Sequence, residues 1–508
     1  MATAPSEITI TVDGRPVKTR PGKMLLEACI EAGVYVPYLC YHQGMKPFGA
    51  CRMCVVEIEG QRGTPASCTV PVQDGMVVRT HTDPVYGVRR SVMETLITEH
   101  PHGCLTCHRI SLCGPEDICL RHVAVNDRCV ICPKNERCEF KDTVRYLTMD
   151  LQSPLPYRYR NLEIETGDPF YDRDYNLCIV CGRCVRVCAE VRVDDALAYT
   201  ERSAIALVGT SHGVSLLESG CEFCGACVDV CPVGALVERD YKWEKAKEVV
   251  RSVCPTCPVG CQMNYEVNRW GAVVRAVPEL TAEANHGQAC YRGKFGFDYV
   301  NSRSRLKRPL VRRDGQLVEA SWQEALTLVA ERLKGYRGDQ VALLLSPRAT
   351  NEDAYVAAKF ARLALGTNNV DVASDLHPAL VEGLADTLGL PAGTNPTWDL
   401  EGARCILVVG ANLTEAQNVV GVPIKRAARA GTTLLVVDPR EVELTRYVAP
   451  GGWLRPRPGT ELVLLAGLLK AVVDAGLVDQ GFVAQRCQGL DDLQRSLKDV
   501  DLDRVAGE

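Results

Sequence analysis

Cys178-Ile-Val-Cys181-Gly-Arg-Cys184-Val-Arg-Val-Cys188 and Cys221-Glu-Phe-Cys224-Gly-Ala-Cys227-Val-Asp-Val-Cys231-Pro232 repeat one spacing, C-x2-C-x2-C-x3-C. Runs of this kind hold two 4Fe–4S clusters, and the fourth cysteine of each run ligates the other cluster. The first cluster is expected on Cys178, Cys181, Cys184 and Cys231. The second is expected on Cys221, Cys224, Cys227 and Cys188. Ala189 follows Cys188 where proline is usual. A structural zinc site competes poorly with this double run.

Further cysteine sets lie on both sides. Cys40-x10-Cys51-x2-Cys54-x13-Cys68 surrounds a Gly- and Pro-containing segment, 44–50, suited to a loop folded tightly around a metal centre. Four thiolates there predict a 2Fe–2S cluster, with zinc as the competing reading. His100-x3-Cys104-x2-Cys107-x5-Cys113 predicts a 4Fe–4S cluster held by one imidazole and three thiolates. His102 and His108 rank below His100 as the nitrogen ligand. Cys119-x9-Cys129-x2-Cys132-x5-Cys138 repeats the C-x2-C-x5-C spacing and predicts an additional cluster. Cys119 is the expected fourth ligand, with His122 the alternative and a zinc site the competing reading. Cys254-x2-Cys257-x3-Cys261-x28-Cys290 predicts a further 4Fe–4S cluster. Cys29, Cys405 and Cys487 remain and are read as structural. The expected complement is one 2Fe–2S cluster and about five 4Fe–4S clusters.

The composition agrees with this chemistry. Of 26 cysteines in 508 residues, all but Cys405 and Cys487 lie at or before Cys290. Repeated CxxC spacing in a long chain, without an export pattern at Met1–Glu7, favours metal thiolates in a reducing cytoplasm over a disulfide scaffold. A net charge of −5 and the lack of a long basic run argue against nucleic acid as a partner. The most apolar stretch, 462–478, is interrupted by Lys470 and Asp474 and reads as a packed helix, not a membrane span.

Periodicity divides the chain. Ile8–Val12 alternates, Asp13-Gly14 signals a hairpin, and the strand resumes at Val17–Thr19. Met24–Ala32 has helical spacing and stops at Gly33; Val85–Glu99 is a second helix. From about residue 305, apolar runs at 341–345, 405–409 and 433–437 alternate with helical patterns at 322–333, 352–365 and 422–430. Such alternation indicates a doubly wound parallel sheet. The predicted fold is a multidomain α+β and α/β chain. It comprises a β-grasp 2Fe–2S domain (1–80), a His/Cys-ligated region with an additional cluster (81–150), and a two-cluster ferredoxin-type module (165–245). A 4Fe–4S domain (250–305) and an incomplete α/β domain (306–508) follow.

The order of these motifs, with His100-Pro101 and Cys290-Tyr-Arg-Gly-Lys-Phe-Gly-Phe-Asp-Tyr-Val-Asn301, resembles two families over residues 1 to about 300. One is the large, G-type iron–sulfur subunit of NADH:quinone oxidoreductase. The other is the N-terminal part of the alpha subunit of NAD-linked formate dehydrogenases. Arg348–Glu352, Lys359–Arg362, Gly366–Asp371 and Val437-Asp-Pro-Arg440 make residues 305–508 resemble the start of a molybdopterin oxidoreductase domain. Three departures stand out. Leu376, before His377, occupies the place of a metal-ligating cysteine or selenocysteine, and leucine cannot ligate molybdenum or tungsten. Arg292 replaces the lysine usual two residues after the fourth cysteine. The chain ends at Glu508, where the family domain normally continues. Val437-Asp-Pro-Arg440 reads as a strand-to-helix turn.

The resemblance implies an electron-transfer subunit without a catalytic site of its own and without a Mo/W-bis-pterin. It would relay electrons between a flavin (FMN)/NADH-binding subunit with a small 2Fe–2S subunit and a further redox acceptor or catalytic subunit. No convincing G-x-G-x-x-G follows a strand, which places nicotinamide and flavin sites on partners. The expected location is cytoplasmic, peripheral to a membrane complex at most. The alternative reading is the front portion of a Mo/W-bis-pterin formate dehydrogenase catalytic subunit.

Overall fold

Alternation produces the opening hairpin. Ile10, Val12 and Val17 are buried, and strands Ile8–Val12 and Arg15–Thr19 pair antiparallel, with Ile8 opposite Thr19 and Val12 opposite Arg15. The turn residues Asp13 (φ 48°) and Gly14 (φ 78°) both adopt the positive φ that a two-residue turn of this twist requires. Val77–Arg79 joins Ile8–Val12 in parallel and Glu57–Ile58 closes a four-stranded sheet. Helix Leu25–Glu31 covers it, with Met24 and Ala32 as its caps and Cys29 buried against the sheet. In this computed structural model the described residues are 7–110, 112–114, 116–117, 119, 129–149, 155–210, 213–372 and 378–507. They divide into two units, 1–375 and 376–508.

The second helix spans Asp83–Ile97 and starts ahead of the expected Val85. Thr82 caps it, accepting from the Val85 amide at 3.4 Å, and Pro84 sits in the first turn, where its missing N–H costs nothing. The helix delivers Arg89 into the first module. This buried guanidinium donates to the carbonyls of Met53 (3.1 Å), Val55 (2.8 Å) and Thr80 (3.1 Å), which ties the Cys51–Cys54 loop to the sheet edge.

The module around Cys178 is built from two short antiparallel pairs, Tyr171–Arg173 with Leu236–Glu238 and Ala198–Thr200 with Leu207–Gly209. Between them lie helix Arg183–Arg186, continued by a π-helical segment Val187–Arg192, and helix Ala226–Val230. One apolar core runs through this module, the Leu39–Met53 loop, the 83–97 helix and the helix Glu139–Tyr146. Strands Val273–Pro278, Gln262–Val267 and Glu248–Val253 then form an antiparallel sheet in that order. Cys254 and Cys261 stand at its hairpin tip.

The α/β expectation is met piecewise. Helix Trp322–Leu333 and strands Cys405–Val409 and Thr433–Val437 fall where periodicity puts them. The expected helix 352–365 is Asn351–Phe360 followed by a π-helical Ala361–Leu365. In the first unit Leu343–Leu345 pairs in parallel with Val370–Val372. In the second, Thr433–Val437 pairs in parallel with both Cys405–Val409 and Trp453–Leu454, and helix Asn418–Arg429 packs on that sheet through Ile424 and Ala427. The apolar stretch near 462–478 is a helix, Glu461–Asp474. Only its Gly467 is fully buried, against Val505 of helix Leu502–Gly507, so it is less packed than its composition suggests. No helix among the described residues is long and apolar enough to cross a membrane.

Replacing Arg89 by methionine leaves three buried carbonyls without their donor, each unmade bond costing about 1–3 kcal/mol. The Arg89→Met chain is therefore expected to exchange its backbone amides faster across residues 51–80 while those of 405–437 keep their rates, as read by hydrogen–deuterium exchange.

Candidate metal centres

In the first cysteine set and in both ferredoxin-type runs the backbone turns its amides toward sulfur. In the first, the Cys51 amide donates to Cys40 Sγ at 3.4 Å and the Met53 amide to Cys51 Sγ at 3.5 Å. Arg52 (φ 55°) and Gly49 (φ 67°) supply the left-handed turns. The thiols pair as Cys40 with Cys51 and Cys54 with Cys68. The Cys40–Cys51 bond pushes the Cys51 thiol down and Cys40 up. Four thiols held this close favour a bound cationic centre, which relieves their mutual repulsion on ionisation.

The two ferredoxin-type runs are built alike. Val180 and Phe223 each have φ 50°. Their amides donate to Cys178 Sγ and Cys221 Sγ, both at 3.3 Å. Gly182 (φ 73°) and Gly225 (φ 75°) then start the two helices. At Gly182 a Cβ would stand 1.8 Å from the hydroxyl of the exposed Tyr199, so a side chain there displaces the tyrosine and strains the left-handed backbone. Burial first, and then the neighbouring Cys231 thiol, raises the Cys178 and Cys181 thiols, and Cys231 also acts on Cys184. Cys188 acts likewise on Cys227 and is itself raised by burial, Asp194 and Cys224. The structure thus gathers Cys231 with the first run and Cys188 with the second.

At the hairpin tip the Cys254 amide donates to the Cys261 carbonyl at 2.8 Å. Cys290 caps helix Tyr291–Phe295, and a Cβ on Gly293 would lie 3.4 Å from Cys254 Sγ. Burial, followed by Cys257, Cys254 and Cys290, pushes the Cys261 thiol up to about 12. All four cysteines of this set therefore meet, and Arg292 lies beside Cys257.

The region 100–138 is arranged differently from its order along the chain. His100 is buried, and burial pushes its imidazole down to about 4, so it is neutral near pH 7. With Cys129, Cys132 and Cys138 it lines a cavity of about 260 Å³. Cys104 reaches the Cys129 thiol. Cys107 and Cys113 are half-buried and Cys119 is exposed. His122, Leu376 and His377 lie outside the described residues. Cys405 and Cys487 are exposed, unlike Cys29, whose thiol burial pushes up to about 11.

Buried cations, which spacing alone does not reveal, connect these loops. Arg183 grips both Glu139 oxygens (2.7 and 2.8 Å) and donates to the Val230 carbonyl at 3.3 Å. Arg186 donates to the carbonyls of Cys40 (3.1 Å) and Lys46. Arg192 donates to the Ala289 carbonyl at 3.3 Å and pairs with Glu222. Lys134 donates to the Val228 carbonyl at 3.3 Å. Lys294 donates to the Ala276 carbonyl at 2.9 Å and pairs with Asp229 and Glu238, and Glu238 also takes Arg137 at 2.7 Å. Burial alone would raise the Glu238 carboxyl, but Lys294, then Arg137, Lys134 and Arg275, hold it below the usual carboxylate range. The available signal was the density of basic residues in and just after the first ferredoxin-type run, at Arg183, Arg186 and Arg192.

In the second unit Asp438 of the Val437–Arg440 turn is buried. It accepts from the Arg440 amide at 2.9 Å and from its guanidinium, so the segment closes on itself as a turn.

Family models match along the chain. They are the 2Fe-2S iron-sulfur cluster binding domain over residues 5–83 and the ferredoxin-like domain of NADH-quinone oxidoreductase subunit 3 over 168–237. The molybdopterin oxidoreductase Fe4S4 domain follows over 247–302, and molybdopterin oxidoreductase over 305–493. The NADPH-Fe(3+) oxidoreductase subunit alpha of Geobacter sulfurreducens is 32% identical over 505 residues, covering 97% of this chain and 55% of that protein. A G-type NADH-quinone oxidoreductase subunit of Rhizobium meliloti is 33% identical over 484 residues, covering 94% and 53% respectively. The chain spans about half the length of these curated relatives. A chain of the NAD+-reducing [NiFe]-hydrogenase in the H2-reduced state is 30% identical, over 46% of this chain and 87% of that one, with a TM-score of 0.37. The chain thus carries 2Fe–2S, ferredoxin-like, Fe4S4 and molybdopterin oxidoreductase domains in this order, and is similar along nearly its whole length to a G-type subunit of NADH-quinone oxidoreductase.

Proposed function

We propose that this chain is an electron-transfer subunit that relays single electrons from a flavin (FMN)/NADH-binding subunit, acting with a small 2Fe–2S subunit, to a further redox subunit, or in reverse. The observation that carries the reading is the set of backbone amides aimed at sulfur in the 40–68 set and in both ferredoxin-type runs, with these loops joined through buried cations. An iron–sulfur cluster in such a loop takes up and returns one electron. The chain's own residues hold thiolates in place, aim N–H groups at sulfur and exclude water, and these determine at what potential an electron rests.

The proposed ligands are Cys40, Cys51, Cys54 and Cys68 for the 2Fe–2S centre. Cys178, Cys181, Cys184 and Cys231 hold one 4Fe–4S centre; Cys221, Cys224, Cys227 and Cys188 hold a second; Cys254, Cys257, Cys261 and Cys290 hold a third. His100 and the seven cysteines between 104 and 138 serve two more.

A second reading, the front portion of a Mo/W-bis-pterin formate dehydrogenase, draws on a cavity of about 800 Å³ lined by Arg292, Arg305 and Arg348. Those guanidiniums suit a phosphorylated cofactor. Leu376 in the metal-ligand position opposes it.

Anaerobic purification of the native complex tests both. Six clusters predict about twenty-two irons per chain, together with reduction by NADH only in the presence of the flavoprotein partner. Stoichiometric zinc, or no iron, would sink the electron-relay reading. Stoichiometric molybdenum or tungsten on this chain with formate oxidation would establish the second. Gly182→Ala, which displaces Tyr199 and strains the left-handed turn between Cys181 and Cys184, is expected to weaken one low-temperature EPR signal and its share of about four irons while the 2Fe–2S spectrum persists.

A further inference from the structure

Along the chain, His100 leads directly into Cys104, Cys107 and Cys113. In space it lines one cavity with Cys129, Cys132 and Cys138, and none of Cys104, Cys107 and Cys113 is among the described residues of that lining. We propose that His100 ligates the cluster held by Cys129, Cys132 and Cys138, and that Cys107 and Cys113 belong to a separate, all-thiolate site with Cys119; Cys104, whose thiol reaches Cys129, stands at the border of the two. The assignment rests on reading this region as iron–sulfur and concerns which residues share a cluster.

Three observations support it. His100 Nδ1 lies 3.0 Å from the Pro101 carbonyl oxygen, which can only accept, so Nδ1 carries the proton and Nε2 the lone pair. Metal-binding imidazoles are oriented in this way, one nitrogen donating to a carbonyl and the other facing the metal. The ring is also placed from the second run: its centroid lies 4.9 Å from that of Phe140, two residues after Cys138. Finally, the backbone leaves space beside the second run. A Cβ on Gly234 would stand 2.6 Å from Cys132 Sγ, and Gly234 follows closely on Cys231.

The arrangement orders the two sites. Lys134, between Cys132 and Cys138, donates to the Val228 carbonyl, between Cys227 and Cys231. The imidazole-bearing site therefore sits against the ferredoxin loops. The cysteines of the all-thiolate site are half-buried to exposed. Replacing a thiolate by neutral imidazole removes one negative charge, which raises the potential of the site nearer the ferredoxin module.

The test uses the full chain, purified anaerobically, labelled with 15N-histidine and reduced, with pulsed EPR reading the nitrogen coupling of one cluster. Cys132→Ser is expected to abolish that coupling and Cys107→Ser to retain it, each variant losing about four irons. Loss in Cys107→Ser with retention in Cys132→Ser, or retention in both, overturns the assignment. Gly234→Ala separates misfolding from ligand loss. Pressing hardest on Cys132 Sγ, at 2.6 Å against 3.2 Å for the Leu177 side chain, it is expected to shift the nitrogen-coupled signal most; a shift elsewhere with that signal intact also overturns the assignment. A chain without iron would instead refute the iron–sulfur reading as a whole, whereas iron-loaded protein whose coupling follows Cys107 refutes only this pairing.

Discussion

Buried guanidinium and ammonium groups that donate to main-chain carbonyls of neighbouring loops are the constraint on which the first unit depends. Arg186 reaches from the first ferredoxin run to the carbonyl of Cys40, Arg192 from the end of the following π-helical segment to that of Ala289, and Lys134 from the 129–138 stretch to that of Val228. Carbonyls in metal-binding loops cannot be satisfied by regular strand or helix ladders, because the loops are bent around their thiols. A long cation from a neighbouring module meets that need and fixes the distance between modules at the same time.

The arrangement is costly to disturb. A buried charge that loses its partner is destabilising by about 3–5 kcal/mol, and Lys294 alone faces Asp229, Glu238 and the Ala276 carbonyl. Such groups add less to net stability than to geometry, since their desolvation offsets much of their attraction. What they provide here is registration of one loop against the next, which a relay of electrons needs and an apolar contact, tolerant of sliding, would not supply.

Much of this was legible in the sequence, for physical reasons that differ by element. The hairpin at Asp13-Gly14 was readable because its turn demands residues that tolerate positive φ. Cys405–Val409 and Thr433–Val437 were readable as unbroken apolar runs. The start of the 83–97 helix was misplaced because the Thr82 cap and Pro84 lie outside the apolar periodicity used to find it. The company of His100 was hidden because spacing measures distance along the chain, and the cavity brings together residues nearly thirty positions apart. The roles of Arg186, Arg192 and Lys294 were hidden too, because a basic residue in a cysteine loop reads like a solvated one until its acceptor is located.

The reach of Arg192 and Lys294 across module borders bears on how the chain can be dissected. A fragment ending before residue 248 would keep Arg192, Asp229 and Glu238 but lose the Ala289 carbonyl and the Lys294 ammonium that neutralise and orient them. Its ferredoxin module would carry Asp229 stripped of its ammonium partner and Glu238 left with Arg137 alone, and excess negative charge favours the oxidised form. Redox midpoints measured on such an excised piece would therefore come out too low for the intact chain, even where its colour and iron content looked native.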